Sequence, residues 1–344
     1  MTGMHLRRYA RNASRVGLRR YVRHLARRAY GRAATVARRR ILGTRYVETQ
    51  VHDYRLLLDL EDDGISRQLS VAGDREPEHR YILERKLHEG MTILDLGANI
   101  GYYSAMMGRR VGASGKVYAV EPSLANYSLL NLNMRLNGLE RVVETYHMGF
   151  SNQVGVGRLY ESEYSNCHTF HPVDLRGEST QRLKPGASVE VPVTTIGAFA
   201  AGRRRLDLIR MDIEGYEVEV LDGLVPDLDD GGITAMILFE THQPMYDGEH
   251  HDMSGVLWRM FERGYEVEWL VADHFRDGDA YGAYRERGYT DEHILAVFES
   301  CDRAIYRGVS RDHAIELICE TELVRAALLT RHGASNAIQG ARSS

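Results

Sequence analysis

The sequence predicts an α/β protein built on a doubly wound, Rossmann-like sheet that is mostly parallel with a late antiparallel strand. Short apolar runs alternate with helical patterns along most of the chain, and a glycine-containing turn follows the first buried run. The 344 residues are 43% hydrophobic and 27% charged, which is ordinary for a soluble globular protein.

The charges are distributed unevenly. Residues 1–45 contain 14 arginines and no lysine or acid, so the remainder of the chain has 30 basic against 48 acidic residues, a balance of -18. Apolar residues recur at near-helical spacing among these arginines, which predicts a basic helical or partly disordered arm. Such an arm would lie on an anionic membrane surface, bind RNA, or fold back on the acidic body.

Two features that the sequence lacks indicate the cellular compartment. No run approaches the roughly 18 apolar residues of a membrane span. The three cysteines lie far apart, without the spacing of a zinc site or a disulfide framework. We therefore expect a cytoplasmic protein, peripheral at the membrane if the arm binds lipid.

Residues 46–90 are predicted to form a lead-in of short strands and one helix. Strands are expected at 54–60 and 66–71. A helix is expected to begin at Pro77 and to be closed by Gly90.

The doubly wound domain is predicted over residues 91–299. Strands are expected at 92–96, 116–120, 142–148, 206–212, 233–240, 265–271 and 293–298. Helices are expected at about 101–111, up to residue 136, at 215–224 and at 253–263. A barrel would need eight regular strand–helix units, and fewer are present.

Two segments depart from this alternation. Glycines punctuate residues 150–200, which are predicted to form a hairpin or flap over one end of the sheet. Residues 300–344 are predicted to be a helical C-terminal extension.

The turn in TILDLGANIGYYS, residues 92–104, indicates a ligand site. In doubly wound sheets, ligands bind outside the carboxyl ends of the strands. Glycines at 97 and 101 suggest that something approaches the backbone closely. The spacing G-A-N-I-G does not fit the dinucleotide fingerprint G-x-G-x-x-G.

Two acids indicate which nucleoside binds there. Glu121 follows the second strand, where its carboxylate can accept hydrogen bonds from a ribose diol. Asp95, at the tip of the first strand, would face an ammonium group and would repel a pyrophosphate. The predicted ligand is therefore S-adenosylmethionine rather than NAD.

The segments DLGANIGYYS, VYAVEPS, HMGFSN and RMDIEGYE together resemble the FkbM family of S-adenosylmethionine-dependent methyltransferases, over residues 66–298. The resemblance implies a class I methyltransferase sheet. It places the glycine loop under the methionine end of the cofactor, Glu121 at the ribose, and residues 148–150 beside the adenine. The predicted cofactor-binding residues are Asp95, Gly97, Ala98, Asn99, Gly101, Tyr102, Glu121, Pro122, Ser123, Met148, Gly149, Phe150 and Asp212.

The acceptor is predicted to be a hydroxyl on a small molecule, a glycan or a lipid-linked sugar. Adenine and cytosine N-methyltransferases usually carry an N/D-P-P-Y/F block after the fourth strand, where this chain has DIEGY. Hydroxyl methylation needs an aligned nucleophile and a proton acceptor. Asp212 ends the fourth strand, and Glu240 and His242 end the next, so these three are the predicted catalytic residues. His242 or Asp212 is expected to take the proton.

A divalent cation held by Asp212, Glu240 and His242 is the less favoured alternative, because catechol-type metal sites contain more carboxylates. In the flap, Tyr164, Asn166, His168 and His171 are expected to contact the acceptor.

Two other functions stay open. An RNA methyltransferase would use the arm for phosphate contacts, but the acidic body would repel RNA, so nucleic acid is not the expected partner. A membrane-surface protein of this fold would bind the cofactor without catalysis.

Overall fold

The computed structural model describes residues 43–171, 183–246, 250–273 and 279–331. The predicted arm, up to residue 42, and the end of the chain after residue 331 lie outside these ranges. None of the helices within them has both the length and the apolar character needed to cross a lipid bilayer.

A β-hairpin and two helices precede the central sheet. β1 (Tyr46–Val51) pairs antiparallel with β2 (Tyr54–Asp59), and helices α1 (Ile65–Ala72) and α2 (Pro77–Lys86) follow. Residues 66–71, predicted to be a strand, instead lie in α1. The pattern of buried residues explains the error, because Ile65, Ser66 and Leu69 recur at helical spacing on one face.

The first half of the sheet is wound as predicted. β3 (Thr92–Leu96), β4 (Lys116–Val120) and β5 (Val143–Tyr146) are joined by α3 (Tyr102–Val111) and α4 (Leu124–Leu136). All five residues of β3 are buried, as expected for a strand that is covered by helices on both faces.

The predicted flap forms a separate small sheet among the described residues. Its strands are β6 (Gly149–Phe150), β7 (Gly155–Ser162) and β8 (Leu183–Thr194), with β8 in the middle. The short helix α5 (Ile196–Ala200) returns the chain to the central sheet.

The second half of the sheet continues to residue 331. Its strands are β9 (Leu208–Met211), β10 (Met236–Glu240), β11 (Tyr265–Asp273), β12 (Ile294–Phe298), β13 (Arg303–Arg307) and β14 (Val324–Arg331). Its helices are α6 (Glu217–Leu224), α7 (Met253–Glu262), α8 (Asp279–Glu286) and α9 (Arg311–Cys319), with 3₁₀ turns at Val225–Gly231, Gln243–Met245 and Asp291–His293.

Over the described residues, the central sheet has nine strands in the order β12-β13-β11-β14-β10-β9-β3-β4-β5. The strands from β10 to β5 are parallel, whereas β14 is antiparallel to both of its neighbours. β3 lies between β4 and β9, so the strand order reverses there. Ligands bind at such reversal points in doubly wound sheets.

The prediction of a helical extension over 300–344 is wrong for residues 303–307 and 324–331. β13 and β14 are strands of the sheet, and only α9 between them is helical. β14 lies between β10 and β11, with Ala326, Ala327 and Leu328 fully buried. A strand in the interior of the described sheet is therefore formed by residues 324–331.

Candidate functional site

A cavity of about 800 Å³, its open mouth included, lies where β3, β4 and β9 end. Among its lining residues are ten of the predicted cofactor residues: Gly97, Ala98, Asn99, Tyr102, Glu121, Pro122, Met148, Gly149, Phe150 and Asp212. The remaining three, Asp95, Gly101 and Ser123, are not among them.

The Glu121 carboxylate is held by backbone groups. Its Oε2 accepts a hydrogen bond from the Asn99 amide at 2.9 Å, and its Oε1 accepts one from the Ser123 amide at 2.9 Å. Ser123 thus supports the site without lining the cavity. Burial is the largest influence on Glu121 and raises its pKa to about 7, although these hydrogen bonds oppose the shift.

Asp95 does not face a ligand. Its side chain is fully buried, accepts a hydrogen bond from Ser104 Oγ at 2.6 Å and pairs with Arg210 Nη1 at 3.0 Å. The predicted contact of Asp95 with the ammonium group is therefore wrong in this arrangement, because Arg210 already supplies the positive charge.

The two glycines of the turn are required by the protein's own packing. Gly97 has φ +79°, and a Cβ there would lie 1.9 Å from the carbonyl oxygen of Asp212. At Gly101, with φ +91°, a Cβ would lie 2.7 Å from Met134 and 2.8 Å from Leu130. The close approach predicted at Gly101 is thus made by side chains of α4, and at Gly97 by the end of β9.

Asp212 lines the cavity directly after β9. Arg210 Nη2 donates to its Oδ2 at 2.9 Å, so one arginine bridges Asp212 and Asp95. Burial is the largest influence on Asp212 and raises its pKa, but the positive charges of Arg210, Arg75 and His242 together outweigh it, and the pKa lies below its ordinary value. Asp212 is accordingly an ionised carboxylate at neutral pH.

His242 lies outside the residues that line the cavity. Its Nδ1 is 3.0 Å from Glu217 Oε1, and its Nε2 is 3.6 Å from Glu214 Oε2. Burial lowers the pKa of His242, yet these carboxylates and Glu240 outweigh it and raise the pKa to about 10. The imidazole is then already protonated at neutral pH, which contradicts its predicted role as the base.

Glu240 is also absent from the cavity lining. Burial and the nearby carboxylates of Asp212 and Glu76 raise its pKa well above the ordinary value. The predicted metal ligands do not form one group. Asp212 and His242 cluster with Glu214, whereas Glu240 clusters with Glu76 and His79.

The flap covers part of the cavity. Of the four flap residues expected to contact the acceptor, Asn166 and His168 line the cavity, whereas Tyr164 and His171 do not. The carbonyl oxygen of Ser165 accepts hydrogen bonds from Asn99 Nδ2 at 3.0 Å and Asn126 Nδ2 at 2.7 Å. These bonds join the flap to the glycine turn and to α4.

Several lining residues were missed by the sequence prediction. Arg75 precedes α2 and pairs with Glu76, and Arg210 lies within β9. An arginine inside an apolar run such as LDLIRM is a signal of a buried ion pair. Glu214 also lines the cavity, with φ +55°.

Strand order and cavity together define a Rossmann-like protein of the class I methyltransferase type. The sequence model of the Methyltransferase FkbM domain matches residues 95–267, half of the chain. The chain belongs to this family.

Individual relatives match smaller parts of this chain than the family model does. A protein named Methyltransferase sdnD from Sordaria araneosa is 30% identical over 44% of this chain and 66% of its own length. A Protein-L-isoaspartate O-methyltransferase from Methanothrix thermoacetophila is 30% identical over 31% of this chain and 49% of its own length. The chain thus spans less than two thirds of each of these relatives.

Among solved structures, the Methyltransferase FkbM from Methylobacillus flagellatus aligns with 70% of this chain and 52% of its own. The sequence identity is 14% and the TM-score 0.35. The fold assignment therefore depends on the strand order and the family match.

Proposed function

We propose that the protein transfers a methyl group from S-adenosylmethionine to a hydroxyl oxygen of a small molecule, glycan or lipid-linked sugar. The observation that carries the proposal is the position of two carboxylates at the cavity. Glu121 follows β4 and Asp212 follows β9, and these strands flank β3, so the two acids lie on either side of the glycine turn.

The charges of the cavity fit a sulfonium nucleoside. Glu121, Asp212 and Glu214 line it, and each lining arginine already has a carboxylate partner, Glu76 for Arg75 and two aspartates for Arg210. Carboxylates near a positive sulfur stabilise it, whereas a dinucleotide would bring two phosphates into the same space. In this arrangement the Glu121 carboxylate accepts hydrogen bonds from the ribose hydroxyls.

Asp212 is the proposed proton acceptor. The methyl group moves in line from sulfur to oxygen, so the S–C bond breaks as the O–C bond forms. A carboxylate of low pKa is a weak base, but it orients the hydroxyl through a hydrogen bond. The proton passes to Asp212 as the new bond makes the oxygen acidic, and then to water. His242 holds Glu214 and Glu217 in place and takes no proton.

The Methanothrix relative is named an O-methyltransferase, and this supports oxygen as the acceptor atom in the proposed reaction. A hydroxyl acceptor is favoured over a carboxylate one because Asp212 and Glu214 would repel a second anion. Asn166 and His168 on the flap are the proposed hydrogen-bonding partners of a polyhydroxylated acceptor.

The first experiment measures cofactor binding. Calorimetry of the full chain is expected to give heat with S-adenosylhomocysteine and none with NAD. The reverse result would refute the proposal.

The second experiment tests the acceptor. Methyl-labelled S-adenosylmethionine is incubated with panels of sugars, glycans and phenols, and the labelled product is treated with mild alkali. A methyl ether keeps its label, whereas a methyl ester releases it as methanol. Asp212→Asn should lower kcat by about 10²–10⁴-fold if it accepts the proton. Release of the label by alkali, or an unchanged kcat, would contradict the proposal.

A further inference from the structure

Glu76, His79 and Glu240 form a compact group beside the cavity. One candidate ligand atom from each lies within 4.8 Å of the other two, and His79 Nδ1 is 3.4 Å from Glu76 Oε2. Glu76 and His79 lie at the start of α2, and Glu240 ends β10. The group therefore joins the lead-in helix to the central sheet.

The imidazole of His79 lacks an ordinary partner. The residue is 3% exposed, and among the described residues neither ring nitrogen makes a hydrogen bond of normal geometry. Buried polar atoms are seldom left in this state, because they lose their hydration without compensation. A ligand between His79 and the two carboxylates would supply the missing interaction of one ring nitrogen.

The carboxylate of Glu240 also lacks a direct partner among the described residues. Within the described part of the chain, no hydrogen bond or ion pair reaches its carboxylate; Glu76 and Asp212 oppose its charge, and the positive charges of His242 and Arg75 compensate for this only in part. Glu76 is better satisfied, since it pairs with Arg75 and accepts a hydrogen bond from the Tyr103 hydroxyl at 2.9 Å. One positive ion beside Glu240 would relieve the repulsion between these carboxylates.

We propose that Glu76, His79 and Glu240 bind a divalent first-row transition metal ion such as Mn²⁺ or Zn²⁺. Two carboxylates and one imidazole are a donor set that these ions accept, whereas an imidazole is a poor ligand for Mg²⁺ or Ca²⁺. Metal bonds of about 2.0–2.2 Å separate neighbouring ligand atoms by about 3.0–3.5 Å. The 3.4 Å between His79 Nδ1 and Glu76 Oε2 already fits, and a rotation of the Glu240 side chain, whose ligand atom lies within 4.8 Å of the others, would complete the site.

The site differs from the cation considered for the transfer reaction. None of its three ligands lines the cavity, so the ion would not touch the acceptor. It would instead fix the start of α2, and with it Arg75, which does line the cavity. The ion is therefore a positioning element between the lead-in and the sheet.

A second group of metal-ligating residues provides the control. His171, Glu219 and His251 also lie within 4.8 Å of one another, but His171 Nε2 already donates to the carbonyl oxygen of Gly215 at 3.0 Å. His251→Gln removes a possible ligand there and leaves the proposed site intact.

The test measures metal content directly. The full chain is stripped with chelator, incubated separately with Mn²⁺, Zn²⁺ or Mg²⁺, desalted and analysed by mass spectrometry of the metal. We expect about one equivalent of Mn²⁺ or Zn²⁺ in the wild type and in His251→Gln, and at least a tenfold lower content in His79→Gln and Glu240→Gln. Metal lost only in His251→Gln, or retained in His79→Gln, would overturn the proposal.

A second measurement uses only the wild type, so it tests the proposal even if the variants fail to fold. Crystals of the wild type soaked in Mn²⁺ should show an anomalous difference peak bonded to His79 and Glu240. A metal-free site in those crystals would refute it. Neither measurement uses turnover, so failure here is distinguishable from failure of the proposed methyl transfer.

Discussion

His242 Nδ1 lies 3.0 Å from Oε1 of Glu217, whose side chain is fully buried. The histidine is 17% exposed and carries the positive charge that makes burial of this carboxylate tolerable. Glu217 Oε1 also accepts a hydrogen bond from the Ile213 amide at 3.2 Å. The pair therefore supports the DIEGY turn that carries Asp212, rather than reacting itself.

Replacing His242 with Gln should lower the free energy of unfolding by about 3–5 kcal/mol at pH 6, because a buried charge loses its partner. The pKa of His242 is raised to about 10 in the folded protein, above its ordinary value of 6.5. Its contribution is thus complete below pH 6.5 and is lost as the pH rises towards 10. Denaturant melts of wild type and variant between pH 6 and 10 measure this difference.

His88→Gln is the control for that series, since the same substitution is made at an exposed histidine. Its stability should match the wild type at every pH. A gap between wild type and His242→Gln that widens with rising pH would contradict the ion pair.

Gly97→Ala should destabilise the protein more than Gly138→Ala. Both glycines have positive φ, +79° and +65°, so alanine is strained by about 1–2 kcal/mol at each. Only at Gly97 would the new Cβ collide with the Asp212 carbonyl; no atom lies within 4 Å at Gly138. Thermal melts should show that Gly97→Ala lowers the free energy of unfolding by roughly 1–3 kcal/mol more than Gly138→Ala does. Gly97→Ala should also lose S-adenosylhomocysteine binding. Equal losses at the two positions would refute the packing explanation.

Much of the fold could be predicted because local patterns and tertiary packing agree. β3 and β4 have the predicted bounds, since each is an apolar run closed by turn residues. β14 could not be predicted in this way. Its sequence VRAALLTR is rich in good helix formers, and only its place between β10 and β11 makes it a strand.

The position of a site residue could be predicted where the strand order determines it. The pairing of side chains with one another was harder to predict. Glu121 and Asp212 follow parallel strands, so topology alone brings them to one cavity. Asp95 also lies near the end of a parallel strand, but its side chain pairs with Arg210, which is 115 residues away in the sequence. Pairings over such a distance depend on strand register, which no local pattern encodes.

Asn126→Ala should loosen the flap. Its side-chain amide donates to the Ser165 carbonyl at 2.7 Å, and one such bond contributes about 1 kcal/mol. We expect S-adenosylhomocysteine to dissociate about fivefold faster in stopped-flow measurements. Asn131→Ala, on the same helix but bonded to Tyr127 and Thr145, should leave the rate unchanged. Similar rates for all three proteins would show that the flap does not limit release.

Cofactor affinity should rise with pH through about 7 if Glu121 holds the ribose. The carboxylate can accept hydrogen bonds from both ribose hydroxyls, whereas its protonated form loses an acceptor. Because burial raises the pKa of Glu121 to about 7 from its ordinary 4.5, the empty folded protein favours the protonated form below that pH. The stability that this gives is present at low pH and is lost as the pH rises through 7. Calorimetry with S-adenosylhomocysteine from pH 5.5 to 8.5 should show the dissociation constant falling by up to about tenfold per pH unit below 7, then levelling.

Glu121→Gln is the matched variant for this titration, because an amide of similar shape does not ionise in this range. Its affinity should be weaker than that of the wild type above pH 7 and should change little with pH. Since Ser123 and Asn99 donate to Glu121 through backbone amides, the glutamine oxygen can keep one of these bonds, and the turn should stay folded. Parallel curves for the two proteins would mean that another group causes the pH dependence, and that the ribose lies elsewhere in the cavity.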